Sequence, residues 1–141
     1  MLNILTDENR ILRKKSKRVA SIDDSIKNLC VSLIDTMISN NGVGLAAPQC
    51  GILKQIVIAL IDNQPKVFIN PEIISTSDEI ISGEEGCLSI PGTFIEKKRY
   101  NSVVVKYRNI KGHPCIDTYE GLSARILQHE IDHLHGILMT M

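Results

Sequence analysis

The sequence predicts an α+β fold. Two amphipathic helical stripes lie near its ends, β-rich segments fill the interval, and no alternating strand–helix order runs through it. The first helix is predicted from about Asp23 to about Asn40. Ile26, Leu29, Cys30, Leu33, Ile34 and Met37 recur there at spacings of three and four, which puts them on one core-facing side. Ser21-Ile-Asp-Asp24 reads as a capping box with Asp in the Glu position, and Asn40-Asn-Gly42 stops the helix. Gly42-Val-Gly44 leads into a loop. Gln55 to Ile61 reads as a buried strand, and Lys66 to Asn70 as another, ended by Pro71. Ile73-Ile74 and Ile80-Ile81 flank a polar turn and predict a hairpin. Ser102 to Tyr107 and Cys115 to Tyr119 pair across Asn109-Ile-Lys-Gly112. A last helix runs from Gly121 through His133, with Gly136 near its end.

The chain has 141 residues, which fits one domain over 1–141. Its 43% hydrophobic content is ample for a core, which excludes a disordered tail or a disulfide mini-scaffold. Sixteen Lys and Arg balance sixteen Asp and Glu. A neutral chain with five aromatic residues and no Trp argues against stable nucleic-acid binding. The basic cluster Arg13-Lys14-Lys15-Ser16-Lys17-Arg18 reads as a solvated segment. The longest apolar run, Ile56 to Ile61, is far below the roughly 20 residues of a membrane span, and no signal-peptide core is seen. The four cysteines form no CxxC pair and read as cytosolic thiols.

The chemistry centres on Gln128-His129-Glu130-Ile131-Asp132-His133. Residues i and i+4 share a helix face, so His129 and His133 can hold one metal ion. Glu130 stands beside them, placed to handle the proton of an attacking water. The alternative, two incidental histidines on a polar helix end, fits poorly with the apolar Leu122, Ile126, Leu127, Leu134 and Ile137 around them. A catalytic metal needs a third protein ligand. No Asp, Glu or His follows Gly136, so that ligand comes from upstream. His113, Cys87 and several carboxylates are candidates. Cys87 leads, because Gly86 before it allows close backbone approach, and a thiolate with two imidazoles suits Zn²⁺ or Fe²⁺.

Three segments together resemble the peptide deformylases: Gly42-Val-Gly44-Leu-Ala-Ala-Pro-Gln49, Glu85-Gly-Cys87-Leu-Ser89 with Ile90-Pro91-Gly92, and Gln128-His-Glu-Ile-Asp-His133-Leu. They stand in order from about Leu5 to about Leu138. The resemblance implies antiparallel or mixed β-sheets packed around a central C-terminal helix that carries HExxH, plus an N-terminal helix. It implies a metallohydrolase that removes the formyl group from N-formylmethionine at the start of newly made polypeptides and releases formate. Cys87, His129 and His133 are then the metal ligands, with Fe²⁺ the expected ion and Zn²⁺, Ni²⁺ or Co²⁺ as substitutes. Glu130 is the general base and acid, and the Gln49 amide and the Leu88 backbone N–H bind the developing oxyanion. The peptide is expected to pair with main chain near Gly44 and Gly86. Its methionine is expected beside Val43, Leu122, Ile126 and the His129 ring.

Arg99 and Asp132 match positions that the family often fills with an ion pair. Arg125 either lines the pocket or pairs with a carboxylate, whereas His113 and His135 are read as bystanders. Phe94 stands where many members carry a polar or basic residue, which implies an altered preference beyond methionine. The sequence stops at Met141, soon after the third motif, which implies a compact form without the usual C-terminal extension. The implied setting is the cytoplasm of a bacterium or a phage-infected bacterial host, with N-formylmethionyl peptides as partners, a transient encounter with the ribosome exit region, and no membrane. A general HExxH endopeptidase would need a ligand after the helix. A metal-free relative would have lost Glu130, Gln49 or a ligand, and none is missing.

Overall fold

Helix and strand order follows hydrophobic periodicity over most of the chain. The computed structural model describes residues 1–141. Helix α1 spans Asp24–Ser39, and helix α2 spans Gly121–Leu134. Between them run β1 (Gly44–Ala46), β2 (Ile56–Ile61), β3 (Gln64–Thr76), β4 (Ile80–Cys87), β5 (Ile90–Tyr100), β6 (Ser102–Arg108) and β7 (Pro114–Glu120). Five strands form an antiparallel sheet in the order β1-β2-β3-β6-β7, while β4 and β5 form a separate long hairpin.

Strand β2 lies in the middle layer. Val57 and Ala59 face α2, where they join Phe68, Val103, Val105, Ala124, Leu127 and Ile131 in one apolar cluster. Ile56 and Ile58 face α1, where they meet Cys30, Leu33 and Met37. Both faces of the strand are covered, so its sequence is a continuous apolar run rather than an alternation. Helix α2 is therefore enclosed by the sheet on one side. On the other side it is tied to the hairpin: the Gln128 side chain accepts from Tyr100 N at 3.0 Å and donates to Tyr100 O at 2.8 Å.

Four local expectations are corrected. The N-cap of α1 is Asp23, not Ser21, because its carboxylate accepts the Ile26 amide at 3.1 Å. Strand β3 does not end at Pro71. It continues to Thr76 through an irregularity in its pairing with β6, with Asn70 left-handed at φ 54°, and a proline is tolerated in such a bulge. Ile73-Ile74 and Ile80-Ile81 do not pair with each other. Ile73 opposes Val105 in the large sheet and Ile80 opposes Tyr100 in the hairpin, so the polar segment between them crosses from one sheet to the other. Finally, Gly44-Leu-Ala46 is a short edge strand rather than a loop, with Gly44 opposite Ala59.

Candidate active site

Three elements deliver the polar groups to one cleft. Helix α2 carries His129, Glu130 and His133 on its buried length, and the end of β4 brings Cys87. The 3₁₀ turn Ala47–Cys50 after β1 brings Gln49. The ligand atoms of Cys87, His129 and His133 all lie within 4.8 Å of one another, and Cys87 Sγ is 3.5 Å from His133 Nε2. His113 is exposed at the β6–β7 turn and His135 is exposed beyond α2, so neither joins this group.

The donor set fits a divalent metal. His129 Nδ1 meets Glu85 Oε1 at 3.0 Å, which leaves Nε2 as the free nitrogen. Burial, reinforced by the charges of His129 and Arg99, pushes the His133 imidazole down to about 3, so the neutral, ligating form is favoured. Its Nδ1 is buried without a partner. Burial alone would also lower His129. Glu130, Cys87 and Glu85 outweigh it and draw positive charge to the site, pushing that imidazole up to about 10.

Glu130 is 5% exposed. Burial raises its carboxyl to about 7, against the lowering effect of His129. Its Oε1 has no hydrogen-bond partner, and its other oxygen lies against Gly44. A Cβ on Gly44 would fall 2.9 Å from Glu130 Cδ and Cγ, so glycine there lets the edge strand pass directly over the carboxylate. Gln49 is 1% exposed, and its Oε1 accepts the Ala46 amide at 2.9 Å. That contact orients the Nε2 group toward Cys87 Sγ at 3.6 Å and Ser89 Oγ at 3.1 Å. Leu88 sits in the turn after β4, with its N–H unpaired within the chain.

Behind His129 stands an ion-pair network. Glu85 accepts from Arg99 Nε at 2.8 Å, from Arg99 Nη2 at 2.9 Å and from Arg125 Nη1 at 2.7 Å. Arg99 also reaches Asp132 at 2.6 Å. Burial works against the Glu85 carboxylate, but Arg99 and His129 prevail and hold it far below the ordinary range. Arg125 thus pairs with a carboxylate, and it also donates to Ile81 O and Lys97 O across the hairpin. Removing one partner of such a buried pair strands the others. Arg99→Ala is expected to lower the unfolding free energy by about 3–5 kcal/mol, read as a lower urea midpoint at unchanged slope.

The cleft is lined by Asn41 to Gly44, Gln49, Gly86 to Leu88, Pro91, Gly92, Phe94, His129 and Glu130. A smaller slot of about 90 Å³ opens beside it between Val43, Gly86, Leu122, Arg125, Ile126 and His129. Every residue expected to hold the methionine borders this slot. Ile126 serves both slot and core, whereas Leu122 is 68% exposed and is not core. Phe94 is 66% exposed on the cleft wall, its ring stacked over Gly86. Sequence reasoning missed the Ala46 amide, which leaves no mark in the sequence. It also missed Ser89, whose only signal was its place in the second motif.

A family model described as "Polypeptide deformylase" matches residues 1–141. The chain is 42% identical over 137 residues to a peptide deformylase of Synechocystis sp., covering 94% of this chain and 73% of that one. It is 46% identical over 138 residues to peptide deformylase 1 of Clostridium perfringens, covering 96% and 93%. The crystal structure of peptide deformylase from Thermotoga maritima superposes with a TM-score of 0.97 at 41% identity, covering 99% of this chain and 95% of that one. A Synechococcus elongatus peptide deformylase in complex with actinonin gives 0.95 at 41% identity, covering 98% and 76%.

Proposed function

The chain belongs to the polypeptide deformylase family, and from that premise we propose which of its residues carry the reaction. It is a metal-dependent hydrolase that removes the formyl group from the N-terminal N-formylmethionine of newly made polypeptides and releases formate. Cys87, His129 and His133 hold the divalent ion, and Fe²⁺ is the ion proposed. When bound there, such an ion supplies Lewis-acid chemistry, polarising the formyl group and making water nucleophilic near neutral pH.

Glu130 takes a proton from the attacking water on a carboxylate oxygen and returns it to the nitrogen of the departing amine. Its raised pKa suits both halves of that exchange. Charge that grows on the formyl oxygen is met by Gln49 Nε2–H and Leu88 N–H, which are fixed in advance and need no reorganisation. The extended peptide aligns along the β1 edge at Gly44 and the β4 end at Gly86, with its methionine in the Val43–Leu122–Ile126 slot. The observation that carries this assignment is the convergence of one cysteine sulfur and two imidazoles within 4.8 Å of one another, with Glu130 beside them in the cleft wall. The setting proposed is the bacterial cytoplasm near the ribosome exit, because the substrate exists on newly made chains. No helix is long and apolar enough to cross a membrane.

Anaerobically purified, Fe²⁺-loaded protein is expected to release formate from formyl-Met-Ala-Ser and to leave an unformylated internal peptide intact. No formate from fully metallated protein would overturn the residue assignment. Phe94 offers an apolar wall to residues that follow the methionine. Phe94→Ala is expected to reduce the preference for formyl-Met-Phe-Ser over formyl-Met-Asp-Ser by about 2- to 10-fold, the worth of one aromatic contact. An unchanged ratio of kcat/KM values would remove Phe94 from the binding path.

A further inference from the structure

The Gln49 amide is fixed at both ends. Ala46 N–H holds its oxygen at 2.9 Å, and the buried Ser89 hydroxyl, 0% exposed, accepts one of its two Nε2 hydrogens at 3.1 Å. An amide has two N–H donors. With one committed to Ser89, the other has a single direction left, toward the Cys87 sulfur at 3.6 Å and the cleft beside it. Without Ser89, only the oxygen end is tethered and the NH₂ group gains freedom to turn. The main chain reinforces the arrangement. Leu5 N donates to Gln49 O at 2.7 Å and Asp7 N donates to Ser89 O at 2.8 Å. Two amides on one edge of the N-terminal segment therefore splint the turn that carries Gln49 to the turn that carries Ser89.

We propose that Ser89 is a positioning residue for the oxyanion donor: its hydroxyl sets the plane of the Gln49 amide so that the second N–H faces the formyl oxygen. The inference rests on the reading of Gln49 as that donor. Losing an oxyanion donor typically costs roughly 10²–10³ in rate. Misaiming one costs less, so Ser89→Ala is expected to lower kcat about tenfold with KM little changed.

The decisive experiment is a double-mutant cycle with Gln49→Ala, using formate release from formyl-Met-Ala-Ser. If Ser89 acts through Gln49, Ser89→Ala costs nothing further in the Gln49→Ala background. An equal loss in both backgrounds would mean that Ser89 acts on the fold or the metal, and would overturn the proposal. If Gln49→Ala itself costs nothing, the oxyanion reading fails instead, and the two failures are distinguishable. A second measurement serves if Ser89→Ala does not fold. In the Zn²⁺-loaded wild type, the NMR resonances of the Gln49 side-chain NH₂ hydrogens, assigned by their loss in Gln49→Ala, are expected to include one that is protected from solvent exchange. Rapid solvent exchange of both hydrogens would overturn the proposal.

Discussion

Glu130→Gln is expected to keep the fold and the metal yet lower kcat for formyl-Met-Ala-Ser by about 10²–10⁴, the usual worth of a positioned general acid–base. Glutamine matches the carboxylate in size, so the crowded space beneath Gly44 is undisturbed. What is lost is the ability to take and return a proton. The carboxylate is well suited to that task, because burial brings it to about 7 and leaves one oxygen with no partner. Metal content measured beside turnover separates this loss from a loss of the ion. Unimpaired turnover in a metallated Glu130→Gln protein would show that another group moves the proton.

The second large effect is on the metal itself. Cys87→Ser replaces the only sulfur among the proposed ligands with a hydroxyl that stays protonated near neutral pH. Losing a partner that only supports a ligand typically weakens metal binding 10–100-fold. Losing the ligand is expected to cost about 10²-fold or more, read by competition with a chelator against Zn²⁺- or Co²⁺-loaded protein. Since metal bound to the folded state stabilises it by mass action, the metal-dependent gain in Tm is expected to vanish with it. Undiminished retention in Cys87→Ser would send the search for the third ligand elsewhere.

Strong hydrophobic periodicity made some elements legible and left others hidden. Both helices and strands β2 and β6 were readable because most of their apolar residues fall on faces that the core covers, and β7 was readable from the Asn109-Ile-Lys-Gly112 turn that precedes it. The β4–β5 hairpin was not. It packs few residues against the core, and its charged run Glu96-Lys-Lys-Arg99 alternates weakly. The strand that crosses Pro71 was hidden by a proline that a bulge accommodates. In the site, HExxH spacing alone yields two ligands and a base. It left Cys87 as only the leading upstream candidate among several, because 41 residues of chain lie between it and His129. The Glu85–Arg99 contact depends on how two arms of a hairpin register and lean on α2. Such contacts follow from tertiary structure and leave no local pattern.

The five-stranded sheet has two edges, and they meet opposite demands. An open strand edge is a row of unpaired backbone groups that invites another sheet to add to it, the first step toward aggregation. Strand β7 defends its seven-residue edge with the exposed Pro114, Asp117 and Glu120. Strand β1 carries no such charge, because the proposed peptide docks there. It is instead only three residues long, buried throughout, and closed at one end by the 3₁₀ turn that holds Gln49. A single extended chain end can reach so short and recessed an edge, whereas the broad flank of a second sheet has nowhere to lie. Guarding against self-association and admitting substrate are thus solved by the same brevity.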